Sequence, residues 1–223
     1  VAYHSANVKI VSVGAGFAYG GAGMSHYATE DLAIMRALPG ITVFSPADPM
    51  ETVEVIKAAV AIDGPCYIRL GKGGERNLHE PPIAFMPGRA LRILDGDKVC
   101  LFATGAITSE AKEAAISLNS AGIGTALFSF PTIKPIDSEL IKECAARYDL
   151  IVTVEEHNVV GGFGSAVAEV ISGLPCRAVL NRIGLNDVYP SIVGTQEYLR
   201  DYYGMSSKSI EEAVLSFYKV GCR

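Results

Sequence analysis

The sequence contains no tryptophan and few histidines. The four histidines are His4, His26, His79 and His157. None of them has a spacing typical of a metal site, either with another histidine or with a cysteine. No apolar run approaches the roughly 18 residues of a membrane-spanning helix, and the chain begins without a signal segment. The sequence therefore predicts neither a metal site nor a membrane partner.

The cysteines lack any paired arrangement. There are five, an odd number, and no Cys-x-x-Cys motif occurs. Four of the five lie in or beside apolar runs, which is typical of buried free thiols in a reducing compartment. We therefore expect a cytoplasmic protein without disulfides. The cysteines are Cys66, Cys100, Cys144, Cys176 and Cys222.

Positive charge is not in excess. Lys and Arg total 19 against 24 for Asp and Glu, giving a net charge of −5. This balance argues against nucleic acid or an anionic membrane as the main partner. Hydrophobic residues make up 49% of 223 residues, so the chain has enough apolar material for a sizeable core and is not intrinsically disordered.

Short apolar runs alternate with helical patterns along the chain, which predicts an α/β fold with mostly parallel sheets. The pattern fails over residues 71–88, which contain Gly71-Lys72-Gly73-Gly74 and Pro81-Pro82 and are interpreted as an inter-domain linker. Residues 131–135 are expected to form a turn. Because the first strand comes so early, we expect the chain to begin inside a domain. Predicted strands are 8–13, 42–45 and 66–70 before the linker, and 98–103, 125–130, 150–154 and 177–183 after it.

Two glycine-rich segments follow predicted strands. Gly14-Ala15-Gly16 suggests dinucleotide binding, but Tyr19 stands where that motif needs a third small residue. The segment 161–164 opens a helix, where free backbone amides can hold an anion. The same glycines would also let the helix pack closely on the sheet, which is the interpretation we favour.

Several chemically capable side chains lie near strand ends, where open parallel sheets bind ligands. His26 follows the first strand and is either functional or simply solvated. Arg69 ends the third strand, and its cation would bind a phosphate or carboxylate, or pair with a neighbouring helix. The run Glu155-Glu156-His157 offers paired carboxylates with mutually perturbed pKa values, but a structural role has more weight.

The ordered set of motifs resembles the transketolase family over nearly the whole chain. Before the linker, the resemblance rests on Gly23-Met24-Ser25-His26, residues 30–40, Pro46-Ala47-Asp48-Pro49-Met50-Glu51 and residues 64–69. After it, the motifs are Ala103-Thr104-Gly105, residues 133–137, Val154-Glu155-Glu156-His157 and Gly161-Gly162-Phe163-Gly164-Ser165. The resemblance implies a partial pyrimidine-binding domain at 1–70, a linker at 71–93 and a transketolase C-terminal domain at 94–223. The implied fold class is α/β, a truncated thiamin-diphosphate-binding domain followed by a mostly parallel C-terminal domain.

The family uses thiamin diphosphate with Mg²⁺, and the resemblance implies transfer of a two-carbon ketol unit between sugar phosphates. The glutamate that activates the coenzyme, and the domain that holds its diphosphate, match nothing in this chain. We therefore expect no coenzyme or metal to bind the chain alone, and an N-terminal subunit or domain to complete the site. By resemblance, His26 contacts substrate near the reacting carbons and Arg69 binds the sugar phosphate. Self-association, as a homodimer, is also expected.

The sequence departs from single-chain transketolases at two positions. Ala22 replaces a sugar-recognising aspartate, and Gly14 aligns with a phosphate-binding histidine. The Gly-Ala-Gly feature and the run Ala33-Ile34-Met35-Arg36-Ala37-Leu38-Pro39 resemble split, two-polypeptide transketolases more closely. The alternatives are deoxyxylulose phosphate synthase, the beta subunit of a 2-oxoacid dehydrogenase, and a dimerisation fragment without catalytic function.

Overall fold

A computed structural model describes residues 1–175 and 177–221 and contains two α/β units. In the first unit, strands β1, β3 and β2 lie side by side in that order and run parallel. Its elements are β1 (Lys9–Val13), α1 (Asp31–Ala37), β2 (Thr42–Phe44), α2 (Pro49–Ala61) and β3 (Cys66–Leu70). Because the three strands are parallel, the loops after β1, β2 and β3 meet at one edge of the sheet.

The second unit has a five-stranded sheet in the order β4-β6-β5-β8-β9, in which only β4 is antiparallel. Its strands are β4 (Leu91–Leu94), β5 (Val99–Thr104), β6 (Thr125–Ser129), β8 (Leu150–Asn158) and β9 (Val179–Leu185). Its helices are α3 (Thr108–Ser120), α4 (Ser138–Arg147), α5 (Phe163–Ile171), α6 (Gln196–Tyr202) and α7 (Ser207–Gly221). The predicted α/β class with mostly parallel sheets is confirmed.

One predicted turn is instead a strand that links the two units. Residues Thr132–Lys134 form β7, which pairs antiparallel with β2 and makes it the fourth strand of the first sheet. Ile133 is buried there, and the ammonium of Lys134 donates to the carbonyls of Arg36 and Leu38 at 2.9 and 2.5 Å. The turn prediction was wrong because the partner strand is about 90 residues away in sequence, which a local pattern does not show.

The segment between the two units is held against the protein. The buried carboxylate of Asp48 accepts hydrogen bonds from the backbone N–H groups of Leu78 and His79, at 2.8 and 3.1 Å. The His79 ring contacts Glu51 at 2.8 Å, and Lys112 of the second unit donates to the carbonyl of Leu78. The predicted linker 71–93 is therefore anchored on both units, and its last residues already belong to β4.

Two large clusters of buried side chains lie on opposite faces of the second sheet, and both include residues of the first unit. Phe17 and Tyr27 belong to one cluster, and Leu32 and Tyr67 to the other. The two units thus share their hydrophobic cores, so the second unit fixes the position of the loops of the first.

Strand β1 forms an edge of the first sheet, and Val11 and Val13 on it are about half exposed. Cys66, Cys100 and Cys144 are buried free thiols, as predicted, whereas Cys176 and Cys222 lie outside the described residues. Within the described part of the chain, no helix is both long enough and apolar enough to span a bilayer.

Candidate functional site

Three clefts open at the edge of the first sheet where its parallel strands end. The first, of about 490 Å³, is lined by Val13, Val53 and Lys72 among others. The second, of about 620 Å³, lies between Tyr19 and the start of α6. The third, of about 330 Å³, lies between the segment after β3 and helices α3 and α6. Lys72 lines all three, so this lysine stands at the centre of the concave surface.

The loop after β1 carries His26 on a projecting turn. Backbone hydrogen bonds between Gly16 and Ala28, at 2.9 and 3.1 Å, close the base of this loop. Two short 3-10 helices, Gly20–Ala22 and Met24–His26, form its tip. We name residues 17–27 the His26 loop. Its closed base holds the tip at a defined place while leaving it open to solvent.

His26 is exposed, and one of its ring nitrogens has a neighbour. The Nδ1 atom lies 3.0 Å from the hydroxyl of Ser25. A histidine whose Nδ1 is engaged presents Nε2 as the free atom, and Nε2 carries the proton when the serine donates. The geometry therefore leaves Nε2 open to solvent, and the catalytic role of His26 stays a prediction.

The second unit holds the base of the His26 loop in place. The rings of Phe17 and Tyr27 meet edge to face, with centroids 5.2 Å apart, inside the core of the second unit. The Tyr27 hydroxyl lies 2.8 Å from the carbonyl oxygens of both Gly20 and Ile192. The loop that bears His26 therefore depends on the second unit for its position.

A buried carboxylate strengthens this attachment. Glu156, at the end of β8, accepts hydrogen bonds from the backbone N–H of Phe17 at 2.5 Å and from Arg200 Nε at 2.5 Å. The side-chain amide of Gln196 donates to the same carboxylate at 2.9 Å. A Cβ on Gly16 would lie 2.5 Å from Glu156 Oε1, so only glycine allows this approach. Glu156 thus joins the His26 loop to α6.

Arg69 does not line the three clefts, and its expected role as a phosphate ligand stays a prediction. The side chain is 3% exposed, and Nε donates to Asp31 at 2.9 Å. Nη2 donates to the carbonyls of Ala28 and Glu156, at 2.6 and 3.0 Å. Burial alone would lower the pKa of Arg69, but Asp31 raises it above the ordinary value. Arg69 therefore forms the ion pair with a neighbouring helix that was its alternative interpretation.

The two residues inferred from the resemblance do not meet. Among the contacts of residues 1–175 and 177–221, none joins His26 to Arg69. The reason is the direction of the side chains: Arg69 points into the interface between the units, while His26 stands on the solvent side of the loop.

The glycine-rich segment at the start of α5 is occupied by the protein's own carboxylate. Glu155 accepts hydrogen bonds from the backbone N–H groups of Phe163 and Gly164, at 2.6 and 2.7 Å. Burial raises the pKa of Glu155 to about 7, against the opposing effect of these two donors. No room remains for an added anion, because a Cβ on Gly162 would lie 2.2 Å from Glu155 Oε2. Close packing is therefore the correct interpretation.

His157 is a core residue. Its Nδ1 lies 2.6 Å from the carbonyl of Asn158, and its Nε2 accepts from the backbone N–H of Ala33 at 3.3 Å. Burial and the nearby Arg69 lower its pKa, so the ring is neutral. The structural interpretation of Glu155-Glu156-His157 is thus the one that the geometry supports.

Sequence reasoning missed Lys72 and the position of Tyr19. Lys72 was assigned to the linker, yet it is exposed directly after β3 and lines every cleft described above. The available signal was a lysine between glycines immediately after a buried strand, a pattern typical of anion-binding loops. Among the described residues, no group of three or more His, Cys, Asp or Glu is placed to hold a metal ion.

This arrangement is that of the later part of a pyrimidine-binding domain fused to a transketolase-like C-terminal domain. A family model described as the transketolase C-terminal domain matches residues 88–210, and one described as the transketolase pyrimidine binding domain matches residues 1–76. The chain belongs to the transketolase family.

Curated relatives include several described as parts of transketolases. A "Putative transketolase C-terminal section" of Methanocaldococcus jannaschii is 39% identical over 217 residues, which is 96% of this chain and 67% of the relative. The "6-deoxy-6-sulfo-D-fructose transketolase subunit SqwH" of Clostridium sp. strain MSTE9 is 36% identical over 96% of this chain and 66% of the relative. The chain thus spans about two thirds of the length of these relatives.

Solved structures agree with the sequence matches. One described as "Split gene transketolase, inactive beta4 tetramer" has a TM-score of 0.84 and 41% identity, covering 96% of this chain and 67% of that one. Transketolase from Campylobacter jejuni has a TM-score of 0.74 at 19% identity, covering 93% of this chain and 31% of that one. The second likeness shows the shared fold.

Proposed function

We propose that this chain is the C-terminal part of a thiamin-diphosphate-dependent transketolase that moves a two-carbon ketol unit between sugar phosphates. Its site is completed by an N-terminal subunit or domain. The observation that carries the proposal is the exposed His26, held on a loop whose base is buried in the second unit, while residues 18–22 of that loop line a cleft with Lys72.

His26 acts on the substrate through Nε2. With Ser25 donating to Nδ1, the ring proton sits on Nε2 and can be donated to a sugar oxygen. A fixed donor stabilises negative charge as it develops on that oxygen in the transition state. The role of His26 is therefore electrostatic and positional.

Lys72, in place of Arg69, binds the anionic end of the substrate. It is exposed, and no ion pair within the described part of the chain involves it. Arg69, by contrast, is neutralised by Asp31 before any ligand arrives. An exposed cation in a concave site attracts a phosphate or a sulfonate.

The coenzyme and its Mg²⁺ belong to the partner in this proposal. The described residues offer no cluster of metal ligands, which does not fit a Mg²⁺-diphosphate site within them. The chemistry that thiamin diphosphate supplies when bound is a nucleophilic carbon and an electron sink. The residues of this chain bind, orient and hydrogen-bond the sugar.

The partner has a suitable surface to cover. Edge strand β1 exposes Val11 and Val13, and α2 exposes Val53, Ile56 and Val60 on one face. Val13 and Val53 line the same 490 Å³ cleft, so strand edge and helix face form one apolar surface. Unpaired strand edges and apolar patches favour association.

Without its partner, we propose that the chain self-associates and is inactive. The structural relative described as an inactive beta4 tetramer supports this proposal, as does the apolar surface just described. We also propose that the chain forms a homodimer and that it is cytoplasmic. The proposed location rests on the described cysteines, which are free thiols.

The proposal is tested by reconstitution. A polypeptide that carries this chain together with a complete, glutamate-bearing pyrimidine-binding domain is mixed with an N-terminal transketolase subunit, thiamin diphosphate and Mg²⁺, and ketol transfer is measured in a coupled assay. Activity that requires both polypeptides is the expected result. The matched control is the same mixture containing His26→Ala, and the absence of ketol transfer from the wild-type mixture would overturn the proposal.

The alternatives within the family differ in their donor substrate, which is a ketose for a transketolase and pyruvate or another 2-oxoacid for the others. The "1-deoxy-D-xylulose-5-phosphate synthase" of Caldanaerobacter subterraneus is 35% identical over 88% of this chain and 32% of the relative. Release of carbon dioxide from pyruvate in the same mixture would indicate that synthase or a 2-oxoacid dehydrogenase subunit. Coenzyme binding without any turnover would indicate a dimerisation module.

A further inference from the structure

Tyr19 lies on the His26 loop, and the proposed function assigns it no role. It is 41% exposed, and it lines the 620 Å³ cleft together with Lys72. Its ring meets the ring of His26 edge to face, with centroids 6.5 Å apart. A half-exposed aromatic ring on the wall of a ligand cleft offers an apolar face and a polar tip.

The other side of the ring lies over the ends of β1 and β3. A Cβ built on Gly14 would lie only 2.7 Å from Tyr19 Cδ2 and Cε2, so the ring covers this glycine. The backbone N–H of Gly14 in turn donates to the carbonyls of Leu70 and Gly71, at 3.0 and 3.2 Å. Gly71 directly precedes Lys72, so the Tyr19 ring lies near the start of the segment that carries Lys72.

These contacts place Tyr19 next to groups of different chemistry. Its ring meets the ring of His26, whose Nε2 is free, and it lines the same cleft as the exposed Lys72. A sugar with an anionic tail has the same order of groups: a reacting carbonyl, a chain of hydroxylated carbons, and a charge. The C–H face of the carbon chain suits an aromatic ring, whereas its ends suit a donor and a cation.

We infer that Tyr19 is a specificity-determining residue that binds the middle carbons of an anionic ketose, between His26 and Lys72. This inference rests on the proposed function. The glycine at position 14 is part of the device, because any side chain there would push the ring out of place. The φ angle of Gly14, +104°, also favours glycine.

The test uses the reconstituted enzyme and two probes that differ by the 5-phosphate group, D-xylulose 5-phosphate and D-xylulose. Tyr19→Ala is expected to raise KM for both probes about tenfold with little change in kcat, because the contact is lost equally in ground and transition states. Tyr19→Phe keeps the ring and stays within about threefold of the wild type. Lys72→Met raises KM for the phosphorylated probe alone.

Gly14→Ala supplies a second route to the same result. By displacing the ring it should raise KM as Tyr19→Ala does, and the double variant should be no worse than the more impaired single variant, since both changes remove one contact. Tyr3→Ala, which alters a tyrosine that is 94% exposed outside the clefts, is the control and leaves both KM values unchanged.

The outcomes separate the two proposals. If the wild type transfers ketol units and Tyr19→Ala keeps both KM values within about twofold, the inference is overturned and the proposed function stands. A rise in KM confined to the phosphorylated probe also overturns it, because the ring would then act only through Lys72. If the wild type transfers no ketol unit from either probe, the proposed function fails and this inference fails with it.

Discussion

Two strand ends in this molecule look alike in sequence and differ in structure. The loop after β1 and the segment at the end of β8 both combine glycines with a histidine, His26 in one and His157 in the other. At the end of β8, the carboxylates of Glu155 and Glu156 and the ring of His157 are buried and bonded to protein. After β1, His26 is exposed, and its Nε2 is free.

The difference shows how to tell a binding site from a structural motif in this fold. Buried polar groups must be paired within the protein, so the β8 segment has no hydrogen-bonding capacity left for a ligand. The His26 loop keeps free hydrogen-bonding groups because its base packs into the second unit while its tip is exposed to solvent. The second unit is accordingly a support for the His26 loop, and mutations at the two strand ends should affect different properties.

The largest effect on stability is expected at Glu156. Glu156→Ala removes the acceptor for Phe17 and Gln196 and leaves the buried Arg200 without its nearest anion. We expect the free energy of unfolding to fall by about 4 kcal/mol, as for other broken buried ion pairs. Urea denaturation followed by circular dichroism measures this loss.

The matched control for that prediction is Glu169→Ala, which breaks an ion pair with Arg36 in which the glutamate is 66% exposed. It should cost less than about 1 kcal/mol. Equal losses at the two glutamates would contradict the claim that Glu156 fastens the His26 loop to the second unit.

Arg69 and Lys72 give the next comparison. Arg69→Met removes the cation paired with the partly buried Asp31 and should cost about 3 kcal/mol of stability. Lys72→Met removes an exposed charge and should cost less than about 0.5 kcal/mol. In the reconstituted enzyme, only Lys72→Met should raise KM for a phosphorylated ketose. The reverse pattern of KM values would restore Arg69 as the phosphate ligand.

A pH dependence is expected from Glu155, whose pKa is about 7 in the folded chain, against an ordinary value of 4.5. Between these values the folded state binds a proton that the unfolded state has lost. Stability therefore falls as pH rises through this window and levels off above about 7. The expected loss is roughly 2 to 3 kcal/mol, measured by urea denaturation from pH 5 to pH 8.

Glu155→Gln should remove most of that slope, since glutamine does not titrate. Glu139→Gln, at an exposed position on α4, is the control and should leave the slope in place. A wild-type curve that is flat between pH 5 and pH 7 would mean that Glu155 is ionised throughout, with its two backbone donors prevailing over burial.

Much of the fold could be predicted from the sequence, because β5, β6 and β8 are continuous apolar runs bounded by turn residues. Strand β7 could not, since its three residues are defined by pairing with the distant β2. The direction of the Arg69 side chain could not be predicted for a similar reason. Strand β3 is buried on both faces, so no alternation in its sequence shows which way Arg69 points.

The site was predicted only in part. His26 could be placed on the loop after the first strand, and the structure keeps it exposed there. The roles of Tyr19 and Gly14 could not be predicted, because the two residues meet through a loop closed by the Gly16–Ala28 bridge. The shape of that loop depends on Phe17 and Tyr27 packing into a core that lies mostly more than 70 residues away in sequence.

The most direct test of the account is the turnover number of His26→Ala in the two-polypeptide enzyme, compared with its unfolding free energy. The account predicts that kcat for ketol transfer falls about 10²- to 10³-fold, as when one transition-state donor is lost, while stability stays within about 0.5 kcal/mol of the wild type. An unchanged kcat in a fully folded variant would contradict it.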